Sequence, residues 1–353
     1  MKIIELRKII RQKKCNFALF YNSEKPNPNM QYFTGYNGAG ILVVPRNKTP
    51  FIMAPQMEFE RARKSLIKKI FQMEKKKFFD SAYETIRNHG KAKNIAIDNN
   101  NFTLNSFKAF KKSFGKPKTH DISLSCIKLR EIKTQIEIEY LKKSCFYADK
   151  ILQKSINNLK SFRTEAEAAA FLDYETKKLG LELSFDPIVA SGKNASMPHH
   201  NPENQKINKG FCVLDFGVKY KGYCSDITRT VYLGKPSKKE KEIYHMLLKI
   251  QEGAIDEVKH NKRCRELYDF VVKGLGDYSK YFTHGLGHGV GIEIHEMPNI
   301  TLNSKDRIKN NMVFTIEPGI YISKKLGIRI EDTILFRNKT ESLTKTSKDL
   351  LII

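Results

Sequence analysis

Four carboxylates set in apolar stretches are the residues of this chain best placed to do chemistry. Asp215 lies in Val213-Leu214-Asp215-Phe216-Gly217, and Asp226 in Cys224-Ser225-Asp226-Ile227-Thr228-Arg229. If residues 219–222 form the turn of a hairpin, the two aspartates become direct cross-strand partners. Glu317 in Thr315-Ile316-Glu317-Pro318-Gly319 and Glu331 in Ile328-Arg329-Ile330-Glu331-Asp332 repeat the arrangement, around a three-residue loop centred on Lys324. Like charges directly opposite on neighbouring strands, with Cβ atoms ~5 Å apart, destabilise a sheet unless something positive lies between them. The flanking residues are apolar on both faces, which predicts burial. Four buried carboxylates would be balanced by two divalent cations, which removes the cost of burying either set alone.

Histidines lie between the two acid pairs in sequence. The segment Thr283-His284-Gly285-Leu286-Gly287-His288-Gly289-Val290-Gly291 alternates glycine, and His295-Glu296 follows. Glycines let a backbone come close to a ligand or another chain. A lone histidine is more often structural than a ligand, but three in twelve residues of a Gly-rich segment argue for a site. A further pair, His199-His200, follows Met197-Pro198 in a polar loop. Oxygen donors with an imidazole suit manganese foremost, and cobalt, zinc or iron, rather than a thiolate-bound metal. Two such ions ~3.5–4 Å apart would activate water at neutral pH and polarise a carbonyl, the chemistry of a hydrolase.

The elements that must position these residues form two regions. In residues 1–120, strand-like segments at 17–21, 39–44, 51–53 and 94–98 alternate with helix-like segments at 3–11, 57–67, 81–88 and 104–112. This interleaving predicts an α/β domain. Residues 113–125 read as its connector to a second domain, 121–353. There a long helix is expected over 131–157. Thr164-Glu165-Ala166-Glu167 opens a second helix with a capping-box pattern. Strand-like runs follow at 211–218 and 223–233. The order then recurs, with a capping-box pattern at Ser237-Lys238-Lys239-Glu240, helices to about 259 and over 263–272, and strands at 312–322 and 328–336. Helix, helix, hairpin thus appears twice, an α+β duplication with a site where the halves meet.

Composition narrows the functional classes. The 353 residues carry 63 Lys and Arg against 38 Asp and Glu, a formal charge of +25. Residues 1–120 hold +17 of this excess, with runs such as Lys75-Lys76-Lys77, and residues 121–353 hold +8. Arginine, which bidentate base reading prefers, contributes only 14 of the 63. The excess reads as a lysine-rich surface, with no nucleic-acid partner expected. No apolar run approaches the ~18 residues of a membrane span, and residues 1–14 lack a signal-peptide core. Cys15, Cys126, Cys145, Cys212, Cys224 and Cys264 form no Cys-x-x-Cys pair, so a reducing cytoplasm is expected.

Taken in order, these motifs resemble the pita-bread metallopeptidases, and within them the Xaa-Pro branch of prolidases and Xaa-Pro aminopeptidases. The order Asp215, Asp226, His288, Glu317, Glu331, with gaps of 11, 62, 29 and 14, is similar to that family's five-ligand pattern. The likeness is strong from about 130 to 335. In the N-terminal region Asn29-Met30-Gln31-Tyr32-Phe33-Thr34-Gly35 looks like the family's start-of-domain signature. The resemblance implies a creatinase/prolidase-like α/β domain followed by the duplicated pita-bread domain. It implies a dinuclear-metal peptidase that hydrolyses the bond between an N-terminal residue and a following proline. It also implies a homodimer.

The resemblance assigns roles as well. Asp215, Asp226, His288, Glu317 and Glu331 would hold the metals, and Glu317 would take the proton from the attacking water. His199 and His295 would hold substrate and steady the tetrahedral intermediate. His284 and Arg329 mark the Xaa-Pro branch, with Arg329 anchoring a metal-bound carboxylate. The stretch between His199 and Asp215 is one residue shorter than the family's, which leaves His200 as the alternative to His199. Two other functions share the fold. One is a non-catalytic binding module that uses the basic N-terminal domain. The other is a metal-free amidinohydrolase of the creatinase kind. The full carboxylate set argues against both.

Overall fold

A computed structural model of the chain describes residues 2–23, 26–73, 78–89 and 92–353, and the chain divides into two compact units, Met1–Arg130 and Glu131–Ile353. The lysine run 75–77 lies outside the described residues.

The first unit opens with helix α1 (Lys2–Gln12), whose inward side buries Leu6 and Ile10. Strand β1 (Phe17–Asn22) leads to α2 (Pro28–Thr34). The Asn27 side chain caps α2 by accepting from the Asn29 and Met30 amides, and Pro28 supplies a pre-set first turn. Strands β2 (Gly40–Pro45) and β3 (Phe51–Ala54), helix α3 (Phe59–Arg63), strand β4 (Ile70–Gln72) and helix α4 (Phe78–Arg87) follow. Strand β5 (Asn94–Ile97), helix α5 (Leu104–Ser113), strand β6 (Lys118–Asp121) and helix α6 (Ser123–Glu131) complete the series. The six strands form one sheet in the order β4-β3-β2-β1-β5-β6, with β1 antiparallel to β2 and parallel to β5. The expected α/β layering is therefore present.

Two local expectations fail here. The helix expected over 57–67 is a 3-10 turn, Gln56–Glu58, and the short α3, and it ends at Arg63. Residues 113–125 are not a connector, because 118–121 pair in parallel with β5 as the sheet's edge strand. Glycine, proline and lysine around that strand mimic a linker; only the neighbouring strand turns it into β6.

In the second unit the expected single helix over 131–157 is interrupted. Helix α7 (Gln135–Asn157) starts anew behind Thr134, whose side chain and Glu137 form a reciprocal capping box. Helix α8 (Glu165–Lys178) follows, then β7 (Glu182–Leu183), β8 (Ile188–Ser191), β9 (Gly210–Phe216), β10 (Val218–Tyr220), β11 (Tyr223–Cys224) and β12 (Ile227–Leu233). The second half repeats the order. Helix α9 (Lys238–Asp256), with its Ser237–Glu240 capping box, and α10 (Cys264–Leu275) precede β13 (Gly287–Gly289) and β14 (Glu296–Ile300). Strands β15 (Met312–Ile316), β16 (Gly319–Ile322), β17 (Leu326–Arg329), β18 (Asp332–Arg337) and β19 (Lys339–Ser342) end the unit.

Each half has its own core. Leu152, Leu172, Leu214 and Val231 pack between α7, α8 and the β9–β12 hairpin. Leu247, Leu267, Phe314 and Ile334 do the same between α9, α10 and the β15–β18 hairpin. Helix, helix, hairpin therefore occurs twice, the pita-bread arrangement. Among the described residues no helix is long and apolar enough to cross a membrane.

Candidate metal centre

The two hairpins carry the four carboxylates, but in different registers from one another. Around Lys324 the expected pairing holds, with Ile316 opposite Asp332 and Gly319 opposite Arg329. Glu317 and Glu331 occupy the break between these two ladders. The first hairpin differs from expectation. Asp215 pairs with Thr228, not Asp226, because the turn is only two residues long. Lys221 and Gly222 both have positive φ, 52° and 82°, the geometry whose twist suits a tight hairpin. The error is two residues, one full side-chain period, so Asp226 stays on the face of Asp215 and lies diagonal to it.

Threonines join the hairpins to each other. Thr228 Oγ1 donates to Glu331 Oε2 at 2.6 Å, and Thr333 Oγ1 donates to the Asp226 carbonyl at 2.7 Å. Thr230 Oγ1 donates to the Arg329 carbonyl and accepts from the Arg329 amide, at 2.8 and 3.1 Å. A hydroxyl both donates and accepts, so it closes the backbone bonds left open where two sheets splay. Asp226 and Glu331 are thereby fixed on the buried side, at 5 % and 1 % exposure, while Asp215, Glu317 and His288 form the more open side.

His288 enters on β13, which is squeezed between its neighbours. A Cβ on Gly287 would fall 2.0 Å from the Thr315 carbonyl oxygen, and one on Gly289 2.1 Å from that of Met297. This is the close backbone approach that the alternating glycines imply. The His288 Nδ1 lies 3.2 Å from the Gly289 carbonyl, so Nδ1 carries the proton and Nε2 presents a lone pair. That nitrogen sits 3.5 Å from Asp226 Oδ2 and 3.4 Å from Glu317 Oε1. Burial, with His295 adding to it, pushes the His288 pKa down to about 3, so the ring is neutral.

Ligand atoms of Asp226, His288 and Glu331 all lie within 4.8 Å of one another. Burial, and then the neighbouring Glu331, Asp215 and Glu317, pushes the Asp226 carboxyl well above its ordinary range. Glu331 rises for the same reasons, with Glu317 and Asp215 as its neighbours. Glu317 is pushed up to about 8 by burial, against the pull of Arg329. Asp215 Oδ1 is buried with no hydrogen-bond partner. An orphaned carboxylate oxygen, mutually repelling acids and a neutral imidazole lone pair aimed at them fit divalent cations. Asp215, Asp226, His288, Glu317 and Glu331 are the residues that would hold them.

A second set of residues orients this one. The Arg329 guanidinium donates to Asp215 Oδ2 at 2.7 Å, to Tyr321 Oη at 2.7 Å and to Thr228 Oγ1 at 3.1 Å. Tyr321 Oη lies 2.9 Å from His284 Nε2, and His284 Nδ1 lies 2.7 Å from the Gly285 carbonyl. The proton on Nδ1 goes to Gly285, so Tyr321 donates to Nε2. Both nitrogens of His284 are thus engaged. Burial and Arg329 push its pKa down to about 4. Beneath Glu331, Asp332 accepts from Arg229 at 2.7 Å and from Gln251 at 3.0 Å. Burial would raise the Asp332 carboxyl, but Arg229 and Lys348 outweigh it and hold it below its ordinary range.

The loop histidines divide. His200 is buried and its Nε2 contacts Glu165 Oε2 at 2.7 Å, so it is turned away and does not stand in for His199. His199 and His295 are exposed. The His295 ring centroid is 4.3 Å from that of His288. Burial, and then His199, lowers the His295 pKa. Sequence reasoning missed Thr228, Thr230, Thr315, Tyr321, Arg229 and Asp332. Thr228, Arg229, Thr315 and Asp332 lie within the motifs that carry the acids, and that proximity was the available signal. Tyr321 carried none.

Residues 139–338 match the model of metallopeptidase family M24, and residues 2–132 match the creatinase/prolidase N-terminal domain. The chain is 36 % identical over 331 residues to the Xaa-Pro dipeptidase of Pyrococcus furiosus, covering 92 % of each. Its fold matches the prolidase of Pyrococcus horikoshii OT3 with a TM-score of 0.90 at 31 % identity, over 99 % of both chains. It also matches the X-Pro aminopeptidase of Thermotoga maritima with a TM-score of 0.88 at 30 % identity, over 97 % of this chain and 99 % of that one.

Proposed function

The chain belongs to metallopeptidase family M24, and on that premise we propose that it is a two-metal hydrolase of the Xaa-Pro bond. The substrate is a peptide with proline at its second position. The single observation that carries this reading is the completeness of the donor set. Ligand atoms of Asp226, His288 and Glu331 lie within 4.8 Å of one another, Glu317 Oε1 lies 3.4 Å from His288 Nε2, and Arg329 holds Asp215, an electrostatic neighbour of these acids, while Thr228 holds Glu331. The relatives named as dipeptidase and as aminopeptidase both support action at Xaa-Pro.

When bound, the two divalent ions, manganese foremost, supply Lewis acidity and lower the pKa of water. Glu317 is the base that takes the proton from the attacking water. It is itself one of the donor set, and Thr315 Oγ1 orients it with a 3.1 Å hydrogen bond to Oε1. His199 and His295, both exposed, donate to the oxyanion as it develops. His284 and Arg329 position groups rather than touch substrate: His284 orients Tyr321, and Arg329 orients Asp215. The six buried thiols, none in a disulfide, support a reducing, cytoplasmic home. A homodimer is expected from the family likeness.

The test is release of free amino acid from Ala-Pro and Ala-Pro-Ala with added manganese. Cleavage of the first alone marks a dipeptidase, and cleavage of the second an aminopeptidase. Cleavage of neither, or activity that survives exhaustive chelation, sinks the reading.

A further inference from the structure

His199 and His200 are adjacent in the chain and face opposite ways. His199 is exposed, whereas His200 is turned into the protein onto Glu165, which is fully buried. Glu165 lies in the first turn of α8, where the helix dipole favours an anion. Its carboxylate accepts from the Ser191 backbone amide and hydroxyl, each at 2.7 Å, and from the Asn194 side-chain Nδ2 at 3.2 Å. His200 Nε2 donates to it at 2.7 Å, and the Glu203 amide at 3.5 Å. One carboxylate thus gathers donors from the end of β8, the 3-10 turn Gly192–Ser196 and the loop after His200.

The opposite side of the same loop is held against the metal centre. Arg329 donates to the Pro198 carbonyl at 3.3 Å, and the Lys324 amide to Ser196 Oγ at 3.2 Å. A Cβ on Gly327 would fall 1.6 Å from the Ala195 carbonyl oxygen, so β17 packs backbone to backbone on the loop. The loop is therefore clamped from two sides, and His199 is an exposed side chain between the clamped Pro198 and His200.

We propose that Glu165 and His200 form a latch that positions His199 for the reaction. The inference rests on the role given to His199 above. Neither Glu165 nor His200 touches the donor set, so both are positioning residues. A buried carboxylate with this many donors has one well-defined arrangement, and losing one donor leaves the buried acceptor short of a partner. Misplacing a catalytic group by ~1 Å can cost on the order of 100-fold in rate.

The experiment uses the full-length, manganese-loaded protein and an Xaa-Pro peptide that it cleaves. The variants are His200→Phe, His200→Gln, His199→Ala and the double variant His199→Ala/His200→Phe. In His200→Phe, kcat is expected to fall at least about ten-fold, with manganese affinity measured by calorimetry within about two-fold of wild type. His200→Gln, whose amide can still donate to Glu165, retains most of the activity. The double variant is no slower than His199→Ala alone, because His200 acts through His199. Should His200→Phe not fold, His200→Asn, too short to reach Glu165, replaces it. Wild-type kcat in that variant overturns the proposal. So does additivity in the double variant, or a parallel loss of manganese affinity. Full activity in His199→Ala would overturn the role of His199 itself, whereas a dead His199→Ala beside a normal His200→Phe would overturn the latch alone.

Discussion

Arg329 Nη2 lies 2.7 Å from Asp215 Oδ2, and that guanidinium has no exposed side through which water could replace the contact, being 3 % exposed. The other oxygen, Oδ1, is buried without a hydrogen-bond partner. Replacing Arg329 by alanine frees Asp215 to rotate and leaves Tyr321 and Thr228 short of a donor. We expect metal affinity to fall about 10–100-fold, as for other residues that orient a ligand. Lysine does not rescue, because one ammonium cannot reproduce the planar fork that serves four acceptors, Asp215, Tyr321, Thr228 and the Pro198 carbonyl. Calorimetric titration with manganese measures both variants.

Removing a ligand should act on metal content before it acts on anything else. Asp226→Asn and His288→Ala are expected to leave fewer than two ions per chain after dialysis, counted by elemental analysis. Both still fold, since Asn keeps the shape of Asp226 and His288 is on the open side. Two tightly held ions in either variant would show that the site lies elsewhere.

The carboxylates give the chelated protein an unusual pH dependence. Glu317 titrates at about 8, and Asp226 and Glu331 are raised as well. A free glutamate titrates at ~4.3. Between those values the folded chelated protein holds more protons than the unfolded chain. Its stability is therefore greatest below the unfolded pKa and falls as pH rises through the folded one. A cation must displace these protons, so its affinity strengthens with pH up to about 8. Thermal midpoints of the chelated protein should fall from pH 5 to 8, and manganese should narrow or reverse the fall. A midpoint that climbs over that range without metal would contradict the raised pKa values.

Lys133 and Glu296 form an ion pair at 3.0 Å with both side chains 1 % exposed. Glu296 follows His295 in the chain, so this pair fixes the start of β14 beside the centre. Breaking it with Lys133→Met takes the buried cation away from the Glu296 carboxylate, which keeps the Glu293 amide as a donor, and should cost ~3–5 kcal/mol of stability. Replacing both partners, Lys133→Met with Glu296→Leu, should recover much of that. Denaturant titration of the three proteins checks it.

His284 engages both ring nitrogens, one with Tyr321 and one with the Gly285 carbonyl. His284→Gln should lower kcat by about ten-fold or less, with KM little changed, because its effect passes through Tyr321 and Arg329. A loss as large as that of Asp226→Asn would mean that the ring itself touches the reacting groups.

Much of the molecule is written in local patterns. Residues 215, 226, 288, 317 and 331 stand out because acids and histidines are costly in apolar or Gly-rich surroundings unless a ligand balances them. Ser237 with Glu240 marks a helix start, and the second hairpin's register follows from a loop centred on Lys324. These features depend on neighbours a few residues apart, so the sequence by itself determined them. What only the tertiary structure decided depends on partners far along the chain. The two-residue turn at Lys221 and Gly222 placed Asp215 opposite Thr228, and the parallel partner β5 made residues 118–121 a strand. Glu165, 35 positions from His200, decided which of two adjacent histidines is buried. Thr228 reached Glu331 across 103 positions, and Arg329 reached Asp215 across 114. A side chain's type says what it can bond. Which partner it meets is a matter of packing, and only the folded chain supplies that.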